Sequence, residues 1–174
     1  MHPYNDARII AGQGTAGLEL LEDVPDLDVI LAPVGGGGLL AGTAIAVGSL
    51  RAGAAVLGAE PTGADDAVRS LAAGRILPCD NPQTIADGLR TSLGELTFAI
   101  ISKLVEGIVT VDDAATMRAM RMVWERMKIV IEPSAAVPVA VLLENARRFA
   151  GRRVGIILSG GNVDLDALVW PKPD

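Results

Sequence analysis

The sequence predicts an α/β chain built on a doubly wound, mostly parallel sheet with helices on both faces. Three observations predict it. Short, continuously apolar, β-branched runs recur along the chain, as strands covered on both faces require. Longer Ala- and Leu-rich or amphipathic stretches alternate with them, which is the strand-helix-strand order of a parallel sheet. Two of the apolar runs end in glycines, at Gly35-Gly36-Gly37-Gly38 and at Ser159-Gly160-Gly161, where the carboxyl end of a strand opens toward a ligand.

The elements follow in order. Gln13 to Leu21 reads as a helix begun near Gly12 and stopped before Pro25. Asp28 to Pro33 (DVILAP) reads as a buried strand, and Leu39 to Leu50 as a helix rich in Ala, Leu and Ile. Ala54 to Ala59 (AAVLGA) is a second buried strand. Gly63 to Ala73 follows as a helix capped near Thr62, with Asp65 and Asp66 in its first turn, where carboxylates suit the helix dipole. Pro78 to Pro82 reads as a loop, Leu96 to Val105 as a helix and Gly107 to Val111 (GIVTV) as a strand. Asp112 or Asp113 caps a helix running to about Met127, and Pro133 opens another through Phe149. Arg153 to Leu158 (RVGIIL) is the last strand. No internal repeat or linker is visible, so residues 1–174 are expected to form a single domain, with 1–5 and 166–174 irregular.

Composition narrows the function classes. Apolar residues make up 50% of the chain and charged residues 21%, which suits a packed core and not a disordered tail. A net charge of -6 argues against a nucleic-acid binder, which needs a basic stripe. With Cys79 the sole cysteine, no internal disulfide can form, and a reducing cytoplasm is the expected location. Cys79 lies in a loop-like stretch with no histidine nearby to activate it, so an ordinary free thiol is expected. No basic segment leads into an apolar run at the N-terminus, so no secretory signal is expected. Val29 to Leu50 is uncharged and long enough to span a bilayer. Pro33 and four consecutive glycines near its middle would free backbone groups in lipid, and a strand, a turn and a buried helix explain the run better.

The strongest local chemistry is Val34-Gly35-Gly36-Gly37-Gly38-Leu39, between a strand and a helix. Consecutive glycines let backbone N–H groups converge on an anion, and the helix N-terminus adds partial positive charge. Phosphate binding suits this arrangement; a tight turn with close helix–sheet contact is the alternative. No Gly-Lys-Ser/Thr follows, so the run is not a Walker loop. Gly35, Gly37 and Leu40 miss the third glycine of the dinucleotide pattern. Glu60 nevertheless ends the next strand where a ribose-binding acid would sit, which keeps a nucleotide-binding Rossmann domain as the runner-up.

Several motifs occur together and in order: Ala11-Gly12-Gln13-Gly14-Thr15, Pro33-Val34 with the tetraglycine, Ala59-Glu60-Pro61, Ile85-Ala86-Asp87-Gly88, Glu132-Pro133-Ser134 and Ser159-Gly160-Gly161-Asn162-Val163-Asp164. Their spacing, from Tyr4 to Asp164, resembles the C-terminal half of the threonine dehydratase and serine racemase family of fold-type II pyridoxal-phosphate enzymes. The resemblance implies that Gly35, Gly36, Gly37, Gly38 and the amide of Leu39 hold the phosphate of pyridoxal 5'-phosphate. It implies that Ser159 faces the pyridine nitrogen with Gly160 beside it, that Gly88 lies near the cofactor and that Thr91 approaches the substrate. Glu132 is either a carboxylate beside the ring or a plain helix-start residue. Glu60, the Ala64 carbonyl and Asp66 match the family's divalent-cation ligands; all-oxygen ligation suits Mg²⁺ or Ca²⁺ and not zinc. An acidic helix start with no bound ion is the alternative.

The family's Schiff-base lysine, in a Ser-x-Lys-x-Arg context, does not occur, so no catalytic residue is assigned. Lys103 and Lys128 lie in amphipathic helices and Lys172 in a Pro-rich tail, and His2 lies at the terminus. By resemblance the expected function is a pyridoxal-phosphate-dependent L-threonine/L-serine ammonia-lyase, inactive as a lone chain. A serine racemase and a non-catalytic phosphate-ligand-binding domain are the alternatives. A homodimer, or pairing with an N-terminal half, is the expected assembly.

Overall fold

The structure is a computed structural model that describes residues 2–51, 53–166, 168 and 170. Four parallel strands form its sheet, in the order β3-β2-β1-β4. They are β1 (Val29–Pro33), β2 (Ala55–Pro61), β3 (Gly107–Val111) and β4 (Val154–Ile156). In register, Leu31 of β1 lies opposite Leu57 of β2 and Ile156 of β4. Alternate residues of β1 serve different cores, as the period of a strand dictates. Val29 and Leu31 join one core with α5 (Asp113–Met127) and α6 (Pro133–Glu144). Ile30 and Ala32 join the other with α1 (Ala7–Asp23), α2 (Gly38–Leu50) and α4 (Glu95–Leu104). The sheet is therefore covered on both faces, which is why its strands read as unbroken apolar runs.

The uncharged run from Val29 to Leu50 resolves into β1, the glycine loop and α2, and no helix among the described residues is long and apolar enough to cross a membrane. α1 and α2 touch backbone to backbone. A Cβ on Gly14 would lie 2.8 Å from the Gly42 carbonyl oxygen, and one on Gly42 would lie 2.3 Å from that of Ile10. Only glycine at both positions allows this approach.

Several boundaries differ from the sequence reading. α1 begins at Ala7 rather than Gln13, because the Asp6 side chain accepts the Arg8 N–H and caps the helix (2.9 Å). The helix expected from Gly63 is a 3-10 turn, Thr62–Ala64, before α3 (Asp66–Ala73). Its cap comes from the preceding strand: the Glu60 carboxylate accepts the N–H groups of Ala67 (2.8 Å) and Val68 (3.0 Å). The helix expected from Pro133 to Phe149 breaks at Asn145, whose Nδ2 donates to the Val141 carbonyl, and resumes as the short α7 (Ala146–Phe149). β4 is shorter than the expected strand, although the Ile157 N–H still reaches Leu31 (3.0 Å). Of the stretch expected to be irregular, 166–174, residues 167, 169 and 171–174 lie outside the described residues.

Candidate functional site

All four strands are parallel, so their carboxyl ends share one edge of the sheet, where ligands of open α/β sheets sit. β1 ends at Pro33 and turns through Gly35, Gly36 and Gly37 into α2. Gly37 takes φ 88°, a left-handed conformation that glycine adopts without strain. Among the described residues, no carbonyl outside the helix takes the N–H of Gly35, Gly36, Gly37, Gly38 or Leu39. These five residues line a cavity of about 360 Å³, and the same cavity is lined by Ser159 just beyond β4. The glycine loop and Ser159 thus share one cleft.

Gly88, Thr91 and Glu132 line the cavity as well. A Cβ on Gly35 would meet Thr91 Oγ1 at 2.9 Å and the Gly88 carbonyl oxygen at 3.1 Å, so the turn carrying Gly88 lies directly against the glycine loop. Glu132 stands just before α6 without capping it. Its carboxylate instead accepts the Asn162 N–H (3.0 Å), and its own N–H donates to the Gly160 carbonyl (3.1 Å). Glu132 therefore braces the turn that follows Ser159 while facing the cavity. Gly160 is not among the residues lining the cavity; a Cβ there would lie 3.0 Å from the Glu132 carboxylate.

Four contributors were given no site role from the sequence, although Gln13 and Ser134 stand in motifs noted there. Tyr4 lines the cavity with its ring against Gly36, where an added Cβ would be 2.3 Å from the ring carbons. Gln13 reaches the cavity from α1. Thr97, fully buried in α4, donates from Oγ1 to the Gly36 carbonyl (2.8 Å) and accepts the Gly94 N–H (3.0 Å). Ser134 lines the cavity from the first turn of α6 and accepts the Gly88 N–H (3.1 Å). Tyr4 is the sole tyrosine of the chain, and Thr97 follows Gly94 at capping distance, the only local signals either offered.

The acidic turn is a separate feature. Glu60 is wholly buried and Asp66 nearly so, with Ala64 buried in the 3-10 turn between them. Neither Asp66 carboxylate oxygen has a hydrogen-bond partner among the described residues. Burial pushes the Glu60 carboxyl up to about 8 against the two N–H bonds that lower it, with the charges of Asp66 and Asp65 adding to the rise. Burial likewise raises the Asp66 carboxyl. The free thiol of Cys79 is pushed up to about 12, first by burial and then by Asp66, so little of it is thiolate near neutral pH. No group of three or more His, Cys, Asp or Glu that could hold a metal occurs among the described residues, so any cation here would rest on two acids and main-chain or water oxygens. Lys103 is exposed on α4, while Lys128, expected within a helix, is exposed just past the end of α5 at φ 60°; neither lines the cavity, and Lys172 lies outside the described residues. His2 makes a local turn, its Nδ1 accepting the Asn5 N–H (3.1 Å).

Comparison with known proteins agrees with this geometry. The chain is 50% identical to the beta-hydroxyaspartate dehydratase of Paracoccus denitrificans, over 98% of this chain and 54% of that protein. Its fold superposes on the structure of maize serine racemase with a TM-score of 0.91 at 45% identity, over 95% of this chain and 52% of that one. It superposes on the crystal structure of T.th. threonine deaminase with a TM-score of 0.91 at 51% identity, over 94% and 61%. The chain spans about half the length of the curated relatives it matches. The profile of the pyridoxal-phosphate dependent enzyme family matches residues 1–160, and with that span it encloses both the glycine loop and Ser159: the chain belongs to this family.

Proposed function

We propose that this chain is the cofactor-phosphate-holding part of an ammonia-lyase acting on L-threonine or L-serine. The single observation that carries the reading is the shared cavity, lined both by the glycines whose amides no backbone carbonyl takes among the described residues and by Ser159. The residues fit pyridoxal 5'-phosphate. Gly35, Gly36, Gly37, Gly38 and Leu39 offer N–H groups at a helix start to the phosphate. Gly88 presents bare backbone to the ring, Glu132 stands beside it, and Thr91 approaches the substrate. When bound, the cofactor supplies the electron sink for a carbanion α to the substrate carboxylate.

The chain's own groups set what that sink favours. Ser159 offers a neutral hydroxyl to the ring nitrogen and, unlike a carboxylate, does not hold a proton on it. A weaker sink suits prompt loss of the β-hydroxyl, which yields a 2-oxo acid and ammonia. Return of a proton to the opposite face gives racemisation, and the likeness to serine racemases supports that second reading. The activities named for the relatives share one substrate chemistry, a β-hydroxy α-amino acid losing its α-proton. No lysine lines the cavity among the described residues. We place the Schiff-base lysine on a complementary segment, since the relatives are about twice as long and the outer edge of β4 has no paired strand among the described residues. Homodimerisation of the completed protein accompanies this reading.

A divalent cation, Mg²⁺ or Ca²⁺, belongs to the same proposal. Two unpartnered oxygens on a buried aspartate suit a hard cation, which Glu60 and the Ala64 carbonyl would share.

The test is binding followed by turnover. The purified chain should bind pyridoxal phosphate, lose it to inorganic phosphate, and form no 2-oxobutanoate from L-threonine alone. Adding the lysine-bearing half of a relative should restore 2-oxobutanoate. An absence of pyridoxal phosphate binding overturns the cofactor reading, and turnover by the chain alone overturns the placement of the lysine.

A further inference from the structure

One wall of the cavity carries Gly88 and Leu89, from the 3-10 turn Asp87–Leu89, and something must hold that turn at the right depth. On one side this turn abuts the glycine loop. A Cβ on Gly35 would lie 3.0 Å from Leu89 Cα and 3.1 Å from the Gly88 carbonyl oxygen. On the other side it abuts α6. A Cβ on Gly88 would lie 3.0 Å from Ser134 Oγ and 3.5 Å from Ser134 Cβ. The turn is wedged between two elements with no side chain to spare on Gly88.

One cross-link joins it to α6. Ser134 is 2% exposed, and its Oγ accepts the Gly88 N–H at 3.1 Å across 46 residues of sequence. The other acceptor of that N–H is the side chain of Asp87, its own neighbour, at 3.0 Å. Asp87 moves with the turn, so it cannot fix the turn's position; Ser134 belongs to a rigid, buried helix and can.

We propose that Ser134 is a positioning residue, whose buried hydroxyl sets the depth of Gly88 and thereby the width of the slot that receives the planar ring of the cofactor. This rests on the reading of the cavity as a pyridoxal phosphate site. A slot walled by backbone on one face accepts a flat ring closely, and a shift of a few tenths of an ångström costs contact along the whole ring face. The phosphate would be held by N–H groups of the glycine loop, none of which is bonded to this turn, so its binding is expected to survive that shift. The role therefore separates ring binding from phosphate binding, which a general loss of structure would not.

The experiment compares wild type, Ser134→Ala and Ser134→Thr. In Ser134→Ala, pyridoxal phosphate should bind about threefold to tenfold more weakly, the range of one lost hydrogen bond, while inorganic phosphate binds as in wild type. Ser134→Thr, which keeps the hydroxyl, should recover wild-type affinity. In the free chain, hydrogen exchange of the Gly88 amide should quicken in Ser134→Ala and not in Ser134→Thr. Unchanged exchange at Gly88 in Ser134→Ala overturns the proposal, as does a parallel loss of phosphate and pyridoxal phosphate. Wild type failing to bind pyridoxal phosphate sinks the cofactor reading instead, and the exchange comparison still decides whether Ser134 holds the turn.

Discussion

The ends of β1 and β2 lie side by side on one edge of the sheet and are built in opposite ways. β1 runs into glycines that line an open cavity and whose N–H groups no backbone carbonyl takes among the described residues. β2 runs into Glu60 and then Asp66, whose charges are shut away from water. Backbone amides are neutral and can wait for a phosphate at little cost, because water serves them meanwhile. A buried carboxylate with no partner cannot wait cheaply; its charged form is disfavoured until a cation or a proton arrives. The first site should therefore govern binding and leave stability nearly unchanged, and the second should govern stability and leave phosphate binding nearly unchanged.

The largest expected effect is at the glycine loop. In Gly36→Ala the new methyl would sit in the Tyr4 ring, 2.3 Å from its carbons, and the loop must move. Losing one or two charge-assisted hydrogen bonds to phosphate should weaken pyridoxal phosphate by about a hundredfold in equilibrium titration. Any response of the melting temperature to Ca²⁺ should survive. A Gly36→Ala chain that binds pyridoxal phosphate normally would remove the glycine loop from the site.

Asp66→Asn tests the other strand end and should change the sign of an effect. Without cation, replacing an unpartnered buried carboxylate by a neutral amide should raise stability, by about 1 kcal/mol or a few degrees in a melting curve. With Ca²⁺ or Mg²⁺ present, wild type should gain stability and Asp66→Asn should not. An equal gain in both proteins would show that no cation binds at Asp66. Thr97→Val probes the support beneath the glycine loop. It removes the hydroxyl bridging Gly36 and Gly94 and should cost about 1 kcal/mol in a denaturant titration, with a pyridoxal phosphate defect of only a few-fold.

The same contrast explains what the sequence could reveal. The glycine loop is contiguous, and its donors come from its own backbone, so residues 35–39 carried their chemistry on their face. The parallel sheet was equally open, because burial on both faces leaves an unbroken apolar run at Val29–Pro33. Features that depend on distant partners stayed hidden. Gly14, read as lying inside a helix, proves to be where α1 meets Gly42 of α2 backbone to backbone. Glu60 looked like a strand end and proves to be the cap of α3. Ser134 and Gly88 are joined across 46 residues, and no local pattern announces such a pair.

The smallest expected effect reads the acidic turn through its neighbour. The Cys79 thiol is held up to about 12 first by burial, then by the neighbouring Asp66 carboxylate through contact and charge, with the charge of Glu60 adding to the rise. A cation neutralising those two acids would remove the electrostatic part and leave the burial part intact. Labelling of Cys79 by a thiol reagent at about pH 8 should be slow throughout, since so little thiolate is present, and should quicken by about twofold to threefold on adding Ca²⁺. In Asp66→Asn the quickening should be present without cation and unresponsive to it. A rate indifferent to both cation and mutation would mean that the two acids exert no field on the thiol, and the buried acidic turn would then lose its one reporter outside stability.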